Sequence, residues 1–221
     1  MNMSIMDIHL KFLIFITTLI TCSQSMAASP IDGWYTQAFG GYAYVPSNVQ
    51  HSYNNLWLSN VKYNPGFNAG GSLGFKNTPM RYEGEITYLK ANLNKFEVNY
   101  IKQLGVDGYN DAILGFANVY YDAPGLIPVL QPFVGIGIGY AWVQAIINGT
   151  GPLAITDFNA TNSVFAYQAT AGLTYNFAEN YAFTTGYRYI STTNLAALGF
   201  RFQTHLINLG AIYRFDGDQY K

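Results

Sequence analysis

From about residue 34 onward, apolar and polar side chains alternate along runs of about ten residues, and stretches rich in Asn, Gly, Pro and Asp separate the runs. An alternation of period two places successive side chains on opposite faces of an extended chain, so the pattern predicts strands. Residues 67–75 set Phe67, Ala69, Leu73 and Phe75 against Asn68, Gly70, Ser72 and Gly74. Residues 81–88 set Tyr82, Ile86 and Tyr88 against Arg81, Glu83, Glu85 and Thr87. Residues 132–142 oppose Val134, Ile136, Ile138, Tyr140 and Trp142 to Gly135, Gly137, Gly139 and Ala141. The runs 165–176 and 181–189 alternate in the same way, and 34–44, about 110–121 and 204–215 complete a set of eight strands.

The composition of the two faces separates two architectures. A strand in a soluble sandwich turns its apolar face to the core and a charged face to water. Here the face opposite the aromatics is small and weakly polar, which suits the narrow interior of a closed barrel. Only 10% of the 221 residues are charged and 17% are aromatic, with Tyr 19 and Phe 15. Trp34, Tyr42, Tyr44, Phe75, Tyr88, Trp142, Tyr175, Tyr181 and Tyr189 fall toward strand ends, where a membrane barrel carries its aromatic girdles. Lipid offers no hydrogen-bonding partner, so strands survive there only in a closed sheet. A net charge of -1 leaves no basic excess for nucleic acid. The chain is too rich in aromatics to be disordered.

Spacing of the connections supplies topology. Those at 45–66, 91–109, 144–163 and 191–203 are long, whereas those at 76–80, 122–131 and 177–180 are short. Such alternation is expected when one barrel end faces the exterior and the other the periplasm. The expected fold is therefore all-β: an eight-stranded antiparallel up-and-down transmembrane barrel with four longer extracellular loops. The chain opens with Lys11, an apolar run over 12–20 and the small-residue site Ser25-Met26-Ala27. These features predict a cleaved signal peptide over 1–27, followed by a barrel domain over 28–221 with a polar tail at 216–221. The lone Cys22 lies in the leader, so no disulfide framework is expected.

The last strand, from Asn208 to Phe215, places a polar residue, a glycine two positions later and alternating aromatics at its end. It resembles the C-terminal signal by which outer-membrane barrels are recognised by their assembly machinery, with Asn208, Gly210, Tyr213 and Phe215 carrying the likeness. The likeness departs from the family pattern in one respect, since six polar residues follow Phe215. Together with Gly33-Trp34-Tyr35, the run from Gly135 to Tyr140 and Tyr187-Arg188-Tyr189, it makes the chain resemble small eight-stranded outer-membrane barrels of the opacity-protein and OmpA-barrel type. That resemblance implies a bacterial outer-membrane, multi-pass protein in contact with outer-membrane lipid and the assembly machinery, expected as a monomer. No peptidoglycan-binding domain is expected to follow. It leaves activity open, because such barrels serve as adhesins, antigens, narrow pores and anchors.

Candidate chemistry is sparse. Arg81, Glu83, Glu85, Arg188 and Arg214 fall on inward positions, with Lys76 near them, and buried charges of both signs are expected to pair. The bland reading is a structural network; the sharper one is a breakable ion path, as the resemblance to OmpA-type barrels allows. Outer-membrane lipid A deacylases share the fold but use a His and a Ser two residues apart. Neither His205-Leu206-Ile207 nor His51-Ser52 fits, so no enzymatic activity and no catalytic residue is assigned. Widely separated histidines without cysteine predict no metal site and no cofactor. In the long connections Tyr53, Trp57, Ile147 and Phe158, with Phe96, Tyr100 and Ile101, form candidate contacts for a host or environmental surface ligand; equally open is that such apolar groups fold over the barrel mouth or continue the strands above the membrane. The expected role is a surface-exposed structural, adhesion or antigen-type protein. The alternative is a narrow pore or carrier for ions or small hydrophobic molecules.

Overall fold

The computed structural model describes residues 30–46, 51–53, 56–124, 129–152, 156–194 and 201–215. The leader 1–27, the tail 216–221 and the side chains of Tyr53, Trp57 and Phe158 lie outside the described residues. Its strands are β1 (Gly33–Tyr44), β2 (His51–Tyr53), β3 (Leu56–Tyr63), β4 (Gly66–Asn77), β5 (Met80–Val98), β6 (Ile101–Lys102), β7 (Asp107–Asp122), β8 (Leu130–Gly149), β9 (Thr156–Asn176), β10 (Tyr181–Asn194) and β11 (Arg201–Arg214). Eight of them close a barrel: β1, β4, β5, β7, β8, β9, β10 and β11 pair antiparallel in that order. The ring shuts where β11 returns to β1, with Gly40 opposite Leu209 and Tyr44 opposite His205. Closure gives the wall's backbone amides and carbonyls partners within the sheet, the condition for placing them in lipid.

The short connections cluster at one end, where β4 turns into β5 through Thr78 and Pro79 and β9 into β10 through 177–180. By the usual polarity of such barrels this end is periplasmic. At the other end the strands run further than the sequence pattern suggests. β5 has 19 residues, β8 20 and β9 21. A tilted strand needs about 9–11 residues to cross the hydrocarbon. At ~3.4 Å per residue and a tilt near 40°, twenty residues rise about 50 Å, roughly twice the apolar band. Much of the connections at 91–109 and 144–163 is therefore barrel wall: β5 continues to Val98, β7 begins at Asp107, β8 reaches Gly149 and β9 starts at Thr156. The small strands β2, β3 and β6 widen the sheet beside the upper part of β5.

The reason these segments stay extended is that the alternation persists while its sense inverts. In lower β5, Tyr82 and Ile86 point outward and Arg81, Glu83 and Glu85 point inward. Two residues past Thr87 the inward positions become Leu89, Ala91 and Leu93, while Asn92 and Asn94 are exposed on the outside. A step in the pattern near Lys95 then turns Phe96 and Val98 inward. The lower barrel is a membrane protein with lipid outside, and the upper barrel follows the soluble rule with an apolar core. Ala43, Leu89, Leu114, Ala141, Ile190 and Leu206 are fully buried in that upper core.

Interior glycines make room for the rings of Tyr35, Phe39, Tyr120 and Phe133, which the alternation turns inward. A Cβ at Gly135 would lie 2.1 Å from the Tyr120 ring, and one at Gly172 would lie 2.6 Å from Phe133. Similarly Gly70 faces Phe39 and Gly74 faces Tyr35. The small face of one strand thus accepts the large inward residues of its neighbours, and the interior is filled rather than lined.

Candidate functional site in the barrel lumen

The polar interior is built in tiers because inward side chains of neighbouring strands meet at matching registers. Nearest the periplasmic end, Lys76 of β4 and Arg81 of β5 are register partners. Both reach Asp122 of β7: Lys76 Nζ lies 3.0 Å from Oδ2, and Arg81 Nε donates to Oδ1 at 2.8 Å. Lys76 Nζ also donates to Gln131 Oε1 at 3.1 Å, and Arg214 Nη2 donates to Asn176 Oδ1 at 2.6 Å.

One step higher, Glu83 accepts a hydrogen bond from the Tyr35 hydroxyl and pairs with Arg81 Nη1 at 3.4 Å. The Arg81 guanidinium lies 4.9 Å from the ring centres of both Tyr120 and Phe133, a cation–π arrangement that replaces part of its lost hydration.

The third tier centres on Glu85. Its carboxylate pairs with Arg188 of β10 across the lumen. It also accepts from Thr87 Oγ1 at 2.5 Å and Asn118 Nδ2 at 2.9 Å. Gln168 ties the tier together, accepting from Arg188 Nη2 at 2.6 Å and donating to Asn118 Oδ1 at 2.6 Å. The Arg188 guanidinium sits 5.0 Å from the Phe39 ring centre. Lys76, Arg81 and Arg188 are tolerated in this enclosure because each meets a carboxylate, whereas Arg214 is held by the Asn176 amide oxygen and the Glu179 carbonyl.

The space left over is small. Two cavities of about 30 and 10 Å³ lie among these tiers, the first beside Glu85 and Arg188 and the second beside Lys76 and Arg214. About 10–15 Å³ of room for a water's centre holds one water, so the first cavity admits a few waters and the second about one. Above Glu85 the lumen is mainly aliphatic, with Leu89, Leu114, Val143, Ile190 and Leu206 buried beside a few uncharged polar side chains such as Asn68 and Asn110.

Comparison with known proteins agrees with this geometry. Residues 13–215 match the family described as the outer membrane protein beta-barrel domain. The chain belongs to that family. An outer membrane protein of Gluconacetobacter diazotrophicus is 29% identical over 188 residues, 76% of this chain and 48% of the relative. The chain thus spans about half the length of that relative. Among solved structures, Neisserial surface protein A (NspA) superposes with a TM-score of 0.56 at 17% identity, covering 83% of this chain and 97% of NspA. OprG of Pseudomonas aeruginosa superposes with a TM-score of 0.52 at 12% identity, covering 85% of this chain and 100% of OprG. At these identities the likeness is one of fold.

In this outer-membrane barrel, the lumen residues singled out by sequence come together in two groups. Arg81 and Glu83 share the tier of Asp122, whereas Glu85 and Arg188 share the tier above it. Arg214 joins through Asn176 rather than through a carboxylate. Asp122, Gln168 and Tyr35 are members that the sequence reading missed. Asp122 falls in the connection at 122–131 and Tyr35 in the Gly33-Trp34-Tyr35 opening of the first strand, so neither stands out in the sequence as a lumen polar group.

In the terminal strand Asn208 faces inward and Gly210 sits opposite Phe39, while Tyr213 faces outward with its ring 5.4 Å from that of Phe215. Of the candidate contact residues, Ile147 is only 3% exposed and Phe96 is fully buried. Both are corrected from surface contacts to core, because the strands that carry them keep alternating above the membrane. Tyr100 is 77% exposed, and Ile101 and Leu104 beside it are also open to solvent.

Proposed function

We propose that this protein is a non-conducting surface barrel, a membrane-anchored stalk whose upper rim meets partners outside the cell, in a structural or adhesive role. The observation that carries the reading is the apolar core of Leu89, Leu114, Val143, Ile190 and Leu206 in the outward half of the lumen. A layer of packed aliphatic side chains with no buried charge among them is a poor path for ions or polar solutes. The narrow-pore reading is accordingly the weaker one, and the Glu85–Arg188 tier serves as a structural tie between β5 and β10.

The contact surface implied is the β5–β6 hairpin. Asn99 and Tyr100 both have positive φ, at 50° and 64°, and turn the chain so that Tyr100 projects from the tip. A turn with two left-handed residues matches the twist of a β-ribbon. Tyr53, Trp57 and Phe158 remain further candidates near the rim. Export through the signal peptide, and recognition of Asn208, Gly210, Tyr213 and Phe215 by the assembly machinery, complete the proposal.

Planar-bilayer recordings provide the first test. Wild type and Glu85→Ala are both expected to lack steady conductance, because the apolar core closes the route above the substituted tier; steady conductance in either sinks the reading. Surface binding by cells is the second. Replacing Tyr100 and Leu104 by Ser should reduce attachment while leaving barrel stability within about 0.5 kcal/mol, the usual range for exposed positions. Unchanged attachment would remove the hairpin from the contact surface.

A further inference from the structure

On the outside of the wall, lysines collect above a hollow in the lipid-facing surface. Lys62 of β3 is the register partner of Lys95 of β5, at a point where the ladder shifts register on either side. Like charges so placed repel and weaken the pairing. The ion pairs among the described residues all lie inside the lumen, so this pair is not neutralised by a carboxylate within that set. Glu97, the nearest acidic residue along β5, accepts a hydrogen bond from Asn60 Nδ2 at 2.7 Å. Lower on β5, Lys90 is the next outward residue after Tyr88. Its register partner is Asp111, yet its ammonium lies 4.6 Å from the centre of the Tyr109 ring.

Directly beneath Lys90 the outer wall is hollowed. Gly71, Gly84 and Gly115 lie on adjacent strands between the ridges of Leu73, Ile86 and Tyr88, leaving an open depression of about 990 Å³. Pairing fixes the arrangement, with Leu73 opposite Gly84 and Ile86 opposite both Gly71 and Gly115. Ile86 is 67% exposed. The depression lies at the depth where the wall is apolar, and the lysines begin at its upper edge, beyond Phe67 and Tyr88.

We propose that this face binds a phosphorylated lipid of the outer leaflet, with an acyl chain in the glycine hollow and its phosphate groups on Lys90 and on the Lys62–Lys95 pair. Charge complementarity argues for the headgroup: a phosphate between Lys62 and Lys95 turns their repulsion into shared attraction, and an ammonium suits phosphate as a point charge. Height argues for more than one phosphate. Lys95 lies five residues beyond Lys90, about 13 Å higher at ~3.4 Å per residue and a 40° tilt. The hollow argues for the chain, because acyl chains are the solvent at that depth and a concave apolar wall holds one in more contacts than a flat wall does. This site lies on a different face from the rim hairpin and stands whether or not the rim has a partner.

The test uses the full-length protein in nanodiscs of zwitterionic phospholipid containing either diphosphorylated lipid A or the same glycolipid with its phosphates removed. Native mass spectrometry reads the lipid retained on the barrel. Wild type should retain the diphosphorylated form about tenfold better, a difference of about 1.4 kcal/mol. Lys62→Gln combined with Lys95→Gln should lose most of that preference. Gly84→Leu should lower retention of both lipids alike; a Cβ at Gly84 meets nothing within 4 Å, so the wall accepts the change. Heat-modifiable migration on gels checks that each variant is folded. Equal retention of the two lipids by wild type, wild-type preference in the lysine double variant, or undiminished retention by Gly84→Leu would overturn the proposal.

Discussion

The lower and upper halves of this barrel are made from the same strands, yet they solve opposite problems. Below Thr87 the wall meets lipid, so Tyr82 and Ile86 face out and the charges Arg81, Glu83 and Glu85 are confined to a crowded lumen. Above it the wall meets water, so Asn92 and Asn94 face out while Leu89, Ala91 and Leu93 fill the interior. No bulge or break is needed at the changeover, because a strand has two faces and only the solvent beyond the wall has changed. The comparison teaches that the interior of a membrane barrel is not polar by rule. It is polar where polar groups can pair, and apolar where the outside takes the charge.

The two interiors should therefore respond differently to substitution. The largest effect is expected in the upper core. Leu89→Asp places a carboxylate at a fully buried position of the apolar cluster that includes Leu114 and Ile190, opposite Asn68 and Ala112 in the ladders. Unpaired burial of a charge costs several kcal/mol, so loss of the folded, heat-modifiable form is the expected outcome. A folded and stable variant would mean that the upper barrel is open to water, and the proposed closure would fall with it.

The lower interior offers a graded test. Glu85→Ala takes the counter-charge from Arg188, which keeps Gln168, and the acceptor from Asn118 Nδ2; removal of one partner from a buried pair typically costs about 3–5 kcal/mol. Urea unfolding in detergent should show that loss. The double variant with Arg188→Ala should recover part of it, because no charge is then stranded. Additive losses would show that the two residues act separately, contrary to the geometry of this tier.

Much of this was legible in the chain and some was not. The eight strands, their faces and the inward charges follow from period-two alternation, which needs no tertiary knowledge. Where the strands end does not, because polarity inversion in β5 looks like the close of a strand to any reading that expects lipid outside throughout. Ile147 and Phe96 stay undecided in the sequence for that reason: apolar residues beyond the membrane span fit exposed loop contacts and a continued wall equally well, and the structure decides for the wall. The lumen was half readable. Arg81, Glu83, Glu85 and Arg188 stand out as charges in an otherwise uncharged pattern. Tyr35 and Phe133 do not, since alternation turns them inward but leaves open whether a narrow lumen has room for a ring, which the glycines of neighbouring strands supply.

The smallest effect sharpens the boundary itself. A lysine at Ile86 would put an ammonium on the lipid-facing wall near mid-depth, where such substitutions cost about 2–4 kcal/mol, falling toward zero near the interface. A lysine at Asn92, six residues further along the same outward face, should change stability by no more than about 0.5 kcal/mol if that face is already in water. The two variants share a strand, a face and an introduced charge, so strand propensity and assembly are held nearly constant between them. Equilibrium unfolding in lipid vesicles reads the difference. Equal costs at the two positions would place Asn92 within the hydrocarbon and move the changeover upward. A large cost at Ile86 alone fixes it between Tyr88 and Asn92, where the interior passes from the Glu85 tier to Leu89 and Ala91.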